Sequence, residues 1–171
     1  EIIKEFGAEK LKIHTKIPSL NNASSINNPD DLLDKLKHEI DKIFKETKAE
    51  CIDTLYFHDQ ADIALLEDDD FKKVLMDYKD EGLIESFGVS VYDKIKLDEI
   101  FDSVQIPLNY VSGDSLLQYY KNVGSVYCRS TFLQGVLVNH QGLDKNFIKR
   151  YGLKAWHNFM QKRGVNPIEL C

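Results

Sequence analysis

Successive strand-like segments of this chain end in residues capable of polar chemistry. Leu11-Lys12-Ile13-His14-Thr15-Lys16-Ile17 alternates with period two and stops at Pro18, so its end carries Thr15 and Lys16. Ile52-Asp53-Thr54-Leu55-Tyr56-Phe57-His58 ends in His58 and Asp59, and Phe87-Gly88-Val89-Ser90-Val91 ends around Ser90. Ser103-Val104-Gln105-Ile106-Pro107 carries Gln105 and reaches Asn109, and Ser125-Val126-Tyr127-Cys128-Arg129 runs into Ser130. In a βα barrel the reactive groups sit at the C-terminal ends of the strands. An ammonium, an imidazole, hydroxyls and carboxamides gathered on one rim make a pocket, though not yet a specific reaction. Taken singly, Lys16 reads as a surface lysine and His58 as a satisfied structural histidine. Their succession on neighbouring strands is what points to function.

The elements between these strands are helical. Asn28-Pro29-Asp30-Asp31 is a helix start, with Asn28 as cap, Pro29 in the first turn and acids complementing the dipole. Leu33, Leu36, Ile40, Ile43 and Phe44 follow at helical spacing. Residues 70–81 read as a helix ended by Gly82, and the acidic run Glu67-Asp68-Asp69-Asp70 as its solvated start. Further helices are expected at 94–101, 114–121, 144–150 and 153–162, with Asn166-Pro167 opening another. Glu1 to Phe6 reads as the tail of an amphipathic helix.

Strands alternating with helices, without hairpin signals, indicate an α/β protein with a parallel sheet. Two arrangements remain, a doubly wound open sheet and a (β/α)8 TIM barrel. No glycine-rich turn follows the first strand, so the dinucleotide fingerprint of the open fold is missing. A closed barrel has eight units in about 250 residues, and this chain supplies about five. The expectation is a single, incomplete barrel domain over residues 1–171, without its N-terminal strands and its last strand.

Composition narrows the function classes. The chain has 171 residues, a formal net charge of −6 and a pI near 5.4. Phosphate backbones are bound by clustered Lys and Arg, so no nucleic-acid partner is expected. Cys51, Cys128 and Cys171 are widely spaced and read as reduced thiols, the first two as small core residues. No His, Cys and carboxylate grouping has metal-ligand spacing, so no metal is expected. His14 is expected to be structural, and His38, His140 and His157 to lie at the surface. Trp156 and Phe159 read as helix packing. No apolar run of about 18 residues and no signal-peptide pattern is present, so no membrane partner and a cytoplasmic location are expected. The oligomeric state is left open.

The motifs also resemble a known family. His14-Thr15-Lys16-Ile17-Pro18 resembles the strand that delivers the catalytic lysine in aldo/keto reductases, and Ile52 to His58 resembles the next strand, which ends in the catalytic histidine. Gly82-Leu83-Ile84 with Phe87-Gly88-Val89-Ser90 is similar to the family's isoleucine-glycine-valine-serine segment. Val104 to Asn109 resembles its nicotinamide-side strand, and Arg129-Ser130-Thr131-Phe132-Leu133-Gln134-Gly135 its phosphate-side segment. The motifs run in family order over residues 11–138, and their wording is nearest to a bacterial branch.

The resemblance implies a reductase that uses NADP, or alternatively NAD, on a carbonyl of a small molecule or sugar, with a tyrosine as proton donor. Lys16 would lower the pKa of that tyrosine and His58 would orient the carbonyl. Ser90, Gln105 and Asn109 would hold the nicotinamide carboxamide. Ser130, Phe132, Leu133 and Gly135 would lie along the ribose and pyrophosphate. Val91 stands where the family usually has asparagine. The family's tyrosine and its partner aspartate belong before the lysine strand, ahead of Glu1, and its final strand after Cys171. The chain alone is therefore expected to be inactive. The alternative is a barrel of the same family that binds cofactor, or serves structurally, without catalysis.

Overall fold

The computed structural model describes residues 11–20, 29–139 and 143–170. The expected helix tail at Glu1 to Phe6, the cap at Asn28, and His140 lie outside them. The elements are β1 (His14–Ile17), α1 (Pro29–Thr47), β2 (Ile52–Phe57), a 3₁₀ segment (Gln60–Glu67), α2 (Asp69–Asp80), β3 (Ile84–Ser90), β4 (Phe101–Pro107), α3 (Ser115–Tyr120), β5 (Ser125–Arg129), α4 (Lys145–Arg150), α5 (Leu153–Arg163) and α6 (Pro167–Leu170).

The sheet has five strands in the order β1-β2-β3-β4-β5. The three pairs from β1 to β4 are parallel: Lys16 opposes Tyr56, Tyr56 opposes Gly88, and Ser90 opposes Gln105. Strictly sequential order settles the choice between the two arrangements. A doubly wound sheet reverses its order at a switch point, whereas successive right-handed crossovers in one direction put all helices on one side, as in a barrel. The fold is α/β, and a partial barrel fits it.

Chain contacts divide into two compact units, Glu1–Gln105 with Asn122–Tyr127, and Ile106–Lys121 with Cys128–Cys171. In the first unit, one face of the sheet is apolar. Ile17, Leu55, Phe57, Phe87, Val89 and Val104 are buried there. Helix α2 lies on that side, since the rings of Phe57 and Phe71 are 6.4 Å apart. Helix α1 buries Leu36, Ile40 and Ile43, one stripe at helical spacing. Burying a side chain of this size contributes about 1.5–3 kcal/mol.

Local chemistry accounts for the ends of α2. Asp68 is its N-cap, and its carboxylate accepts from the Asp70 and Phe71 backbone N–H groups. At the other end Gly82 takes a left-handed φ of 70°. There Leu83 N–H reaches the Tyr78 carbonyl and Gly82 N–H the Lys79 carbonyl, closing the orphan carbonyls. In the second unit, Leu137, Leu153, Trp156 and Met160 form the core, and the Trp156 indole N–H donates to the Leu137 carbonyl at 3.0 Å.

The structure departs from the sequence reading at three points. Residues 94–100 are not helical, and β4 begins at Phe101. Asp98 there accepts from the Ile100 N–H through its carboxylate and from the Phe101 N–H through its carbonyl, and its carboxylate binds Lys72 Nζ at 3.0 Å. A short acidic turn of this kind competes with a helix too short to be stable alone. Residues 60–67, unread in the sequence, form the 3₁₀ segment. Cys51 is only partly buried and Cys128 is exposed, not core. Apolar neighbours signal burial only where both faces of a strand are covered, and β5 at the end of the sheet order is largely exposed.

Replacing Asp68 with alanine removes the α2 cap and is expected to lower stability by about 1 kcal/mol. A urea titration should show this as a lower midpoint at unchanged slope.

Candidate active site

The second face of the sheet in the first unit is polar. Residues in parallel register point the same way, and the side-chain period is two. Lys16, Tyr56, Gly88 and Ser103 therefore share one row across β1 to β4. His58 follows Tyr56 by two residues, and Ser90 and Gln105, register partners, follow Gly88 and Ser103 by two. Ser90 and Gln105 make the next row towards the strand ends, and His58 lies one residue past the last register pair of β2. Lys16 is half-buried, His58 exposed, Ser90 buried and Gln105 half-buried. Lys16, Ser90 and Gln105 are thus brought to one face. The Val91 side chain is fully buried and apolar, and its N–H donates to the Gln105 carbonyl at 2.9 Å.

The exits of β1, β2 and β3 are tied together. His58 N–H donates to the Ile17 carbonyl at 3.3 Å. Asp62, fully buried in the 3₁₀ segment after His58, accepts the Leu20 N–H at 3.0 Å. Lys35 Nζ from α1 donates to the carbonyls of Ser19 and Leu20 at 3.2 and 2.9 Å. Gln60 holds the β3 exit: its Oε1 accepts from the Tyr92 N–H at 2.8 Å and its Nε2 donates to Asp93 at 2.9 Å. These hydrogen bonds fix the backbone just beyond the site residues of three strands.

Sequence reasoning passed over Gln60 and Asp62, and also Tyr56. The Tyr56 side chain is fully buried. Its ring crosses Gly88, where an added Cβ would collide with the ring and with Ser103 Oγ. Ser103 Oγ donates to the Tyr56 hydroxyl at 3.1 Å. Tyr127 meets the ring edge-on at 6.2 Å, and His14 stacks at 6.4 Å. Burial pushes the Tyr56 phenol above its ordinary range, against the opposing pull of hydrogen bonds from Ser103, Gln105 and Thr54. A readable signal existed: Tyr56 lies two residues before His58, the period of a strand.

The remaining predicted site residues lie in the second unit. Asn109 Oδ1 accepts from the Val111 and Ser112 N–H groups at 2.9 and 3.0 Å, and its Nδ2 donates to the Ser130 carbonyl at 3.1 Å. Ser130, Leu133 and Gln134 have left-handed φ values of 57°, 47° and 54°, and Gly135 has 87°. Non-glycine residues in that region cost on the order of 1–3 kcal/mol each and concentrate at ligand clamps. Turn bonds such as Leu133 N–H to Ser130 O and Gly135 N–H to Phe132 O maintain this backbone. Phe132 is exposed. Asn109, Cys128 and Thr131 also line a cleft of about 590 Å³ whose aromatic wall is Tyr110 with Trp156, rings 4.9 Å apart. Among the described residues, no group of three His, Cys, Asp or Glu side chains is placed to hold a metal ion, and no helix is long and apolar enough to cross a membrane.

Comparison with known proteins gives the same direction. The model of the aldo/keto reductase family matches residues 1–171. An aldo/keto reductase from Klebsiella pneumoniae, solved with NADP and acetate, is similar with a TM-score of 0.64 at 16% identity, over 98% of this chain and 56% of that one. A glycerol dehydrogenase from Gluconobacter oxydans is similar with a TM-score of 0.59 at 18% identity, over 79% of this chain and 49% of that one. The chain spans about half the length of these solved relatives, and identities this low speak for the fold alone. No curated protein matches by sequence.

Two outcomes follow from the Tyr56–Gly88 contact. Gly88→Ala should destabilise by about 1–3 kcal/mol through overpacking, measured by chemical denaturation. The raised phenol pKa stabilises the fold fully below the ordinary value near 10, and this contribution is lost as pH rises through the higher folded value. Tyr56→Phe should therefore soften the alkaline fall in the unfolding midpoint, while Tyr78, whose pKa burial also raises, continues to contribute.

Proposed function

This chain belongs to the aldo/keto reductase family, and we propose that it carries the lysine, histidine and nicotinamide-side residues of an NADP-dependent reductase acting on a carbonyl of a small molecule or sugar. The observation that supports this reading is that Lys16, Ser90 and Gln105 share one polar face, with His58 immediately after the strand that lies between β1 and β3. The residues fit the cofactor. A hydroxyl and a carboxamide, register partners, match the donor and acceptor ends of a nicotinamide amide. The turn that follows β5 carries left-handed φ values at Ser130, Leu133, Gln134 and Gly135, a backbone of the kind that concentrates at ligand clamps.

A bound reduced nicotinamide supplies the hydride. The chain's own residues do the rest in this proposal. Ser90, Gln105 and Asn109 hold the ring amide and so choose the ring face presented. Ser130, Phe132, Leu133 and Gly135 run along the ribose and pyrophosphate. His58 hydrogen-bonds the substrate carbonyl oxygen, where negative charge develops as hydride arrives. Lys16 holds a neighbouring phenol's pKa down so that it can give up a proton near neutral pH. Tyr56 is not that phenol, because burial moves its pKa the wrong way. The activity is therefore proposed for the whole protein that carries this chain, which we place in the cytoplasm, and not for these residues alone.

The test is oxidation of NADPH and of NADH by that protein with a panel of aldehydes and sugars. Lys16→Met and His58→Ala should each lower kcat about a hundredfold or more, with NADPH preferred over NADH. Cofactor binding without any turnover would favour a non-catalytic member of the family. Absence of nicotinamide binding would sink both readings.

A further inference from the structure

The cleft of about 590 Å³ lies wholly within the second unit and falls in the size range of small-molecule sites. Its aromatic wall is Tyr110, half exposed, with its ring 4.9 Å from that of Trp156. The Trp156 indole N–H already donates to the Leu137 carbonyl at 3.0 Å, so the tryptophan offers the cleft only π and carbon surface. Thr131 and the exposed thiol of Cys128 add weakly polar groups. The full charge in the lining is Asp114, and among the described residues that line the cleft there is no lysine, arginine or histidine. Asp114 stands at the N-cap position of α3 but makes no capping hydrogen bond, whereas Asp68 and Asp144, at the same position of their helices, each accept from two N–H groups. Its carboxylate is therefore open to a ligand in the cleft.

We propose that this cleft binds a small organic ammonium ion, held over the face of the Tyr110 ring with its charge balanced by Asp114. The full charge and the ring faces of the lining have one sign. An aromatic face is negative, and a cation within about 6 Å of the ring centre is attracted to it. The same sign repels phosphates and carboxylates, so the cleft does not suit the anionic parts of a dinucleotide. A metal ion fits poorly for a different reason. Hard cations need several oxygen ligands, and among the described residues no group of three His, Cys, Asp or Glu side chains is placed to hold one. A neutral ligand such as a sugar would cover the Asp114 carboxylate without supplying a counter-charge, and a desolvated charge without a partner is costly. An alkylated ammonium ion meets all three conditions: it is positive, it does not demand a shell of oxygen ligands, and its carbon surface packs on aromatic rings. The proposal stands independently of the reductase reading.

The experiment is a calorimetric titration of the protein that carries this chain with three probes. They are choline, its uncharged analogue in which a tert-butyl group replaces the trimethylammonium head, and methyl glucoside as a neutral sugar. Choline should bind saturably, and the analogue about fivefold more weakly or worse. Asp114→Asn, nearly isosteric, and Tyr110→Leu, which keeps apolar bulk without the ring face, should each weaken choline about two- to fivefold, the range of one exposed ion pair or cation–π contact. Bound choline should also slow alkylation of Cys128 by iodoacetamide, followed by mass spectrometry on the peptide that contains it. Absence of saturable choline binding overturns the proposal. So does equal or tighter binding of the analogue or of methyl glucoside, which would make the cleft a site for neutral ligands. Binding that leaves the Cys128 rate unchanged, or that either variant fails to weaken, puts choline elsewhere and overturns it too. If Tyr110→Leu fails to fold, Asp114→Asn and the Cys128 rate decide by the same outcomes.

Discussion

The parallel register that sets Lys16 opposite Tyr56 governs the rest of this molecule. One face of the strands is closed by Phe57, Val89 and Val104 against helices, and the other carries lysine, serine and glutamine. A slip of one residue would exchange the two faces. Lys16 would then be driven among buried apolar side chains, where an unpaired ammonium is costly, and Ile17 would turn outward. The burial that stabilises the first unit therefore also chooses which groups reach the polar face. Stability and placement of the chemistry are one constraint here.

Around that face the backbone is held by side chains and not by the sheet alone. Asp62 and Lys35 secure the segment after Lys16, and Gln60 the segment after Ser90. Loops are ordinarily the mobile parts of a fold. The bonds made by Lys35 and to Asp93 have a charged partner, which is the stronger kind, and Asp62 makes its bond in full burial. A site that needs small displacements between a lysine and an imidazole has reason to immobilise the chain that follows each. In the second unit the comparable device is Asn109, whose amide ties its own turn to the Ser130 carbonyl, next to a backbone held in left-handed conformations.

Much of the local structure was legible in the residues. Asp68 and Asp144 at helix starts, and Gly82 and Gly164 just past helix ends, act within a few residues of themselves. Period-two alternation placed Lys16 beside a polar strand neighbour, and His58 at the end of the next strand. The stretch at 94–100 misled for a related reason. Its apolar spacing looked helical, but Lys72, on another element, holds Asp98 in a turn.

By itself, then, the sequence determined most of the element types, the cap at Asp68 and the stop at Gly82, the alternation of polar residues along the strands, and the family motifs. These are short-range properties, set by backbone preferences and side-chain period. Only the tertiary structure decided the sequential strand order, the clamps from Gln60 and Asp62, and the meeting of Tyr56 with Ser103 across a vacant Gly88. The side-chain bonds among these join residues 32, 42 and 47 positions apart, which no local periodicity encodes. They become visible once burial of the apolar face has fixed the register.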